Sequence, residues 1–310
     1  MEMLNEKSAY EAKLNEYVSD EKAAVSLISS IGHLMYEKSI ELVLFRNPLV
    51  DKSISEILNL HKKAKTIAFN PVDIIETSSL AKELESLDIA PSKLDIGRLA
   101  SEWNAEKSNF TSMSDFLNNK LANFGNSNAT ELNPKDVVLY GFGRIGRLAA
   151  RELIKQAGKG QQLRLKAIVT RSVTENDIIK RAALLRNDSV HGFFSGTVEE
   201  DLDNKALIIN GQIVKLIEAK NPEDVDYTAY GISDALIIDN TGVFTDKSAL
   251  SRHMKAKGVS KVLLTAPGKE IPNVVYGINE NTLDIENDDI FSAASCTTNA
   301  ISPILYTIEN

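Results

Sequence analysis

The sequence predicts an α/β fold in which a doubly wound sheet follows an α-helical segment. Three observations predict it. Apolar residues recur at helical spacing before residue 125, strand-like and helix-like stretches alternate after residue 134, and a glycine-rich turn joins the first of those strands to its helix.

In the first segment, Val25, Ile28, Leu34 and Met35 recur near helical spacing. Ile54, Ile57, Leu58 and His61 do the same after the cap candidates Asp51 and Ser53. Ser114 is placed to cap another helix carrying Phe116, Leu117, Leu121 and Phe124. His33 and His61 read as packing or surface residues rather than ligands, and Lys62, Lys63 and Lys65 as a solvated helix face. No metal-ligand spacing, nucleophile motif or repeat is visible, so docking onto the rest of the chain or onto another subunit is the role expected here. Residues 125–134 concentrate turn formers and read as a linker, dividing an α-helical extension over 1–133 from a domain over 134–295.

The second domain opens with the strand Asp136–Tyr140, which runs directly into Gly141-Phe142-Gly143-Arg144-Ile145-Gly146 and a helix to about Gln156, ended by Gly158. A GxGxxG turn between strand and helix suits a dinucleotide. The first glycine permits the tight turn, the second lets a pyrophosphate approach the backbone, and the third lets helix and strand pack closely. Free N–H groups at the helix start then take the diphosphate. The alternative is a glycine-rich turn that binds nothing. Leu163–Val169 supplies a second strand, Asn210-Gly211 joins two apolar runs as a tight hairpin, and Ala235–Gly242 supplies another strand. Thr245 is a cap candidate for a surface helix to about Lys257, carrying His253 and followed by the strand Lys261–Thr265. Ligands of such sheets bind outside the carboxyl ends of the strands, and Gly141, Thr170, Thr241, Ala266 and Cys296 all follow strands at that edge.

Cys296 is the single cysteine. Asp289–Ala294 reads as a short strand and Thr297–Glu309 as a helix, with Pro303 tolerated near its beginning. At such a junction the positive end of the helix favours a thiolate; a buried small hydrophobe is the alternative reading. A lone cysteine forms no internal disulfide, which points to a reducing cytoplasm. The net charge of −8 argues against a nucleic-acid binder, and the apolar runs are strand-sized, which argues against a membrane span.

Gly-Phe-Gly-Arg-Ile-Gly-Arg at 141–147, Asp188-Ser189-Val190-His191-Gly192, Asn240-Thr241-Gly242-Val243-Phe244, Thr265-Ala266-Pro267 and Ala294-Ser295-Cys296-Thr297-Thr298-Asn299 follow one another in an order and spacing that resemble the glyceraldehyde-3-phosphate dehydrogenase family. The resemblance spans roughly 136–310. Residues 1–133 resemble the amino-terminal extension of a longer subgroup. The likeness implies a Rossmann-type NAD(P)-binding domain, a following catalytic domain of which 296–310 is the first helix, and a homotetramer. It implies that Gly141, Gly143, Arg144, Ile145, Gly146, Thr170, Thr241, Gly242, Phe244 and Ala266 contact the cofactor. It also implies that the Cys296 thiolate attacks glyceraldehyde 3-phosphate, that hydride passes to nicotinamide leaving a thioester, and that inorganic phosphate releases the acyl product. Ser295 and Thr297 would contact phosphate, with helix capping as the alternative.

Two departures accompany the resemblance. Where NAD-preferring relatives carry an acid after the second strand, this chain reads Val169-Thr170-Arg171-Ser172, so Arg171 is expected to admit the 2′-phosphate of NADP, with Lys220 a second cation by family position. No histidine follows Cys296, although the family's base does, so the chain is expected to be truncated and inactive alone. A related aldehyde dehydrogenase acting on erythrose 4-phosphate or a semialdehyde, and a non-enzymatic dinucleotide binder, are the other readings.

Overall fold

The computed structural model describes residues 2–67, 72–125, 134–156 and 162–309. The chain divides into two compact units at the boundary between Leu132 and Asn133. Most of the expected linker, and Gly158, lie outside the described residues. Among those described, no helix is long and apolar enough to cross a membrane.

The first unit contains α1 (Glu2–Lys38), β1 (Ile40–Leu44), β2 (Asn47–Pro48), α2 (Ile54–Ile67), α3 (Ile74–Leu84), β3 (Ser92–Asp95), α4 (Ile96–Glu106) and α5 (Met113–Lys120). Helices dominate, and the three strands form a small sheet in the order β2-β1-β3. Leu27, Leu34, Leu42, Ile57, Leu80 and Phe116 are fully buried in one core. Ser53 caps α2 reciprocally: its Oγ accepts from the Glu56 N–H at 3.3 Å, and Glu56 accepts from the Ser53 N–H at 2.9 Å. The cap of α5 is Ser112 rather than Ser114. Ser112 has the extended backbone a cap requires and accepts from the Asp115 N–H, whereas Ser114 is already helical.

His61 is a buried strut between α2 and α3. Its Nδ1 lies 2.8 Å from the Ile57 carbonyl and its Nε2 2.8 Å from Thr77 Oγ1. Burial pushes its pKa below the ordinary value of 6.5, against smaller upward pulls from the Ile57 carbonyl, Asp73 and Asp20. The unfolded chain therefore takes up this proton first. Stability from neutral His61 is complete above about pH 6.5 and falls as the pH drops towards the lowered folded value. Thermal melts of the first unit's helices are expected to shift down between about pH 7 and pH 5, and His61→Asn is expected to flatten that dependence.

The second unit contains β4 (Lys135–Tyr140), α6 (Arg144–Gln156), β5 (Leu163–Thr170), α7 (Glu175–Arg186), β6 (Asn187–Asp188), β7 (Gly192–Phe193), β8 (Val198–Asp201), β9 (Ala206–Ile209), β10 (Gln212–Glu218), β11 (Ala235–Asp239), α8 (Lys247–Leu250), β12 (Val259–Leu264), β13 (Ile290–Ser292) and α9 (Cys296–Glu309). Eight strands form one sheet in the order β13-β12-β11-β4-β5-β10-β9-β8. The six from β13 to β10 are parallel, and β9 and β8 extend the edge antiparallel. Both faces are covered, as the alternation in β4 shows. Val137 and Leu139 enter the core with Ala150, Ile154 and Ala182 of α6 and α7, whereas Val138 and Tyr140 enter the opposite core with Tyr227 and Leu250.

Asn210 and Gly211 both take positive φ, 47° and 76°, and close the β9–β10 hairpin. The helix expected from Thr245 to Lys257 is much shorter. Asp246 caps α8 through the Ala249 N–H, and a separate 3-10 turn covers His253–Lys255. His253 is consequently fully buried rather than on a surface helix. Pro303 lies well inside α9, where it cannot donate to the Asn299 carbonyl.

Candidate functional site

Parallel pairing brings the carboxyl ends of six strands to one edge, and the chain reverses its direction of travel across the sheet at β4, between β5 and β11. Along that edge stand, in order, Lys220 beyond β10, Thr170 and Arg171 at the end of β5, Gly141 after β4, Thr241 after β11, Ala266 after β12 and Cys296 after β13. With strands about 4.8 Å apart, the glycine turn and the thiol are separated laterally by roughly 14 Å. A crevice at such a reversal is where open α/β sheets take their ligands.

A cleft of about 380 Å³ occupies the β10-to-β11 part of this edge. Of the expected cofactor residues, Gly141, Gly143, Thr170, Arg171, Lys220, Thr241 and Phe244 line it. Arg144, Ile145, Gly146, Gly242 and Ala266 do not. Gly146 has a packing role, because a Cβ there would run into the Gly141 carbonyl oxygen. Gly141 takes φ 93°, and its own Cβ would meet Thr241 Cγ2 at 2.9 Å. Nothing lies within 4 Å of where a Cβ of Gly143 would stand, so bare backbone faces open space at the start of α6. That combination fits a dinucleotide: tight turn, open approach and close helix packing.

Asp239, at the end of β11, is not itself part of the cleft lining but anchors the loop that is. Its Oδ1 accepts from the Thr241 N–H at 2.8 Å and the Thr241 hydroxyl at 2.7 Å, and its Oδ2 lies 2.9 Å from His253 Nε2. Asp239 and His253 are both fully buried. Thr241 Oγ1 in turn accepts from the Val243 N–H, so the carboxylate fixes the loop that presents Val243 and Phe244 to the cleft. The rings of Tyr140 and Phe244 meet His253 edge-on at 4.7 and 5.7 Å. Burial first, and Asp239 next, push the Tyr140 hydroxyl up to about 12.

Asp188 performs a similar service for the loop to Gly192. Its Oδ1 accepts from the N–H groups of Val190 and His191 and lies 3.1 Å from His191 Nδ1, while Oδ2 accepts from Arg147 of α6 at 2.9 Å. The Val190 N–H and the Arg147 guanidinium hold this carboxyl well below the usual range. His191 is thereby committed to the loop. Arg144 extends to the same place, 3.4 Å from Ser189 Oγ.

Cys296 is exposed in the first turn of α9. The turn before it is tight: Ala294 takes φ 59°, which costs a non-glycine residue about 1 kcal/mol. Ser292 Oγ accepts from the Ala294 N–H, and the Asn299 side chain donates to the carbonyls of Ala293 and Ser295, which hold it in place. Ser295 Oγ caps α9 by accepting from the Thr298 N–H at 2.9 Å, and Thr297 is exposed beside the thiol. None of the four histidines hydrogen-bonds Cys296 among the described contacts. Ile304 and Leu305 of α9 are exposed at 60% and 58%, so this helix presents an uncovered apolar face.

Sequence reasoning missed Tyr140, Phe142, Val169, Arg181, Ala219 and Val243, which also line the cleft. Tyr140, Val169 and Ala219 sit at the ends of predicted or paired strands and follow from the edge rule. Arg181 arrives from α7 by tertiary packing, and no local pattern announces it.

The fold and edge define a nicotinamide-dinucleotide-binding domain with a cysteine on the same rim. Residues 135–247 match the family model described as glyceraldehyde 3-phosphate dehydrogenase, NAD binding domain. The chain is 41% identical over 288 residues to a glyceraldehyde-3-phosphate dehydrogenase-like protein of Pseudomonas aeruginosa (strain UCBPP-PA14), covering 92% of this chain and 62% of that protein. That span is longer than the second unit and reaches into the first. It is 36% identical over 172 residues to a glyceraldehyde-3-phosphate dehydrogenase of Chlamydia pneumoniae, covering 54% and 47%. With the chloroplastic glyceraldehyde-3-phosphate dehydrogenase A of Zea mays it shares 34% identity over 209 residues, covering 66% and 49%. The chain thus spans about half to three fifths of the length of these relatives.

Proposed function

We propose that this chain supplies the cofactor-binding domain and the nucleophile of a phosphorylating glyceraldehyde-3-phosphate dehydrogenase that accepts NAD or NADP and works as a cytoplasmic homotetramer. The observation that carries this reading is the order along one sheet edge: cations, glycine turn, Thr241 loop, then thiol. Gly141, Gly143 and the first turn of α6 would hold the pyrophosphate, Arg171 and Lys220 would face the adenosine end, and the Thr241–Phe244 loop would lead towards the reacting end. The bound nicotinamide supplies the hydride acceptor.

Cys296 sulfur would add to the aldehyde carbon, and the hemiacetal oxygen would shed its proton as that carbon loses hydride, which leaves an acyl thioester. A phosphate oxygen would then attack the acyl carbon, the sulfur would leave as thiolate, and Thr297 with Ser295 would contact the phosphate. The backbone N–H of Cys296 would help hold the oxyanion. Among the described residues no histidine hydrogen-bonds the thiol, so dinucleotide binding without sustained turnover is expected of this chain alone.

The test is nicotinamide reduction, followed by absorbance, with glyceraldehyde 3-phosphate, erythrose 4-phosphate or a semialdehyde, each with and without phosphate, using a form of the protein that turns over. Preference for glyceraldehyde 3-phosphate with a strict need for phosphate is expected. Phosphate-independent oxidation, or preference for another aldehyde, would overturn the assignment.

A further inference from the structure

We infer that Arg181, reaching from α7 into the cleft, is the inner half of an anion site for a phosphate monoester on the adenosine ribose, and sets the preference of this site for dinucleotides carrying a 2′-phosphate. This rests on the dinucleotide reading above and adds to it a residue that neither the sequence motifs nor the family resemblance supplies.

Arg181 lines the same end of the cleft as Thr170, Arg171 and Lys220. Among the described residues none of these three cations forms an ion pair. Arg171 and Lys220 are exposed, so solvent satisfies them. Arg181 is different. One arm of its guanidinium donates to the Ser172 carbonyl at 3.1 Å, which fixes the group beside the turn after β5, while its Nε is buried with no acceptor. Burial of a charged guanidinium is costly, and an anion bound where Arg181 lines the cleft would offset that cost by its charge, without reaching the buried Nε.

The nearby carboxylates do not do so. Asp177 accepts through Oδ2 from Ser172 Oγ at 2.6 Å and from the Thr174 N–H and hydroxyl at 3.2 and 2.8 Å, which caps α7, and forms no ion pair with Arg181. Glu218, opposite Thr170 in the β5–β10 register, accepts from the Val173 N–H and is not part of the cleft lining. Burial works against the charged form of Arg181 more than Asp177 supports it. A phosphate monoester would bring about −1.5 to −2 charges and oxygens that suit a planar guanidinium fork. A plain ribose hydroxyl offers neither.

The experiment uses the whole 310-residue chain. Wild type, Arg181→Gln and Arg181→Lys are titrated with NADP, NAD, adenosine 2′,5′-bisphosphate and 5′-AMP, with thermal melts recorded alongside. Arg181→Gln is expected to weaken NADP and the bisphosphate by about 10- to 100-fold while leaving NAD and 5′-AMP within about 3-fold. Arg181→Lys is expected to recover only part of the loss, because it keeps the charge without the fork. Equal loss for all four ligands would make Arg181 a structural support of the turn and overturn the inference. So would NADP binding that Arg181→Gln leaves unchanged. If folded wild type bound no dinucleotide at all, the underlying reading would fall, and this inference with it.

Discussion

Asp239→Ala is expected to destabilise the second unit by about 3–5 kcal/mol, because it strands several donors at once. The half-buried Thr241 N–H and hydroxyl and the fully buried His253 Nε2 all lose their acceptor. Each orphaned donor costs about 1–3 kcal/mol, and the cavity adds to this. For a unit of this size, a loss of that order corresponds to a fall in melting temperature of roughly 10 °C. Asp239→Asn is the informative control. It keeps the Oδ1 acceptor for Thr241 and turns a donor towards His253, whose other ring nitrogen, Nδ1, has no partner and can carry the proton instead. A much smaller loss is therefore expected, read by denaturant titration. If alanine and asparagine were equally harmful, the carboxylate charge rather than its acceptor geometry would be what matters.

Cys296→Ser, in a form of the protein that turns over, is expected to reduce aldehyde oxidation by on the order of 10³-fold or more, with dinucleotide affinity unchanged. A serine hydroxyl is far from ionised near neutral pH and lacks the polarisability of sulfur. Its placement is undisturbed, because the turn before it is held through Ser292, Ala294 and Asn299 rather than through the thiol. Cys296 is solvent-exposed, so its loss opens no cavity and stability is expected to hold. Near wild-type oxidation by the serine variant would rule out the thioester route.

Local signals were readable where chemistry and local structure coincide. The GxGxxG turn, the Asn210-Gly211 hairpin and the strand-to-helix setting of Cys296 each depend on neighbours within a few residues, and each appears where the sequence puts it. The lateral order of strands was not readable, since a parallel sheet is assembled from segments far apart in the chain. That order separates Lys220 from Cys296 along the rim and makes sense of the cleft. His253 illustrates the same limit. Its spacing suggests an exposed helix, but Asp246 ends up as the cap, the helix stops at Leu250, and the next turn swings the imidazole beneath Asp239. In the first unit the short strands Ile40–Leu44 and Ser92–Asp95 pair across half that unit, a contact that helical periodicity does not encode.

The central claim is that the carboxyl edge of the second unit binds a nicotinamide dinucleotide with its pyrophosphate over Gly143. Calorimetric titration of the chain with NAD and NADP, for wild type and Gly143→Val, tests it most directly. A valine there meets no protein atom within 4 Å of its Cβ, so the fold should be unaffected while the side chain stands in the ligand's place. Wild type is predicted to bind, and Gly143→Val to lose on the order of 100-fold in affinity at an unchanged melting temperature. Binding of equal strength in both, or no binding by folded wild type, would contradict the account.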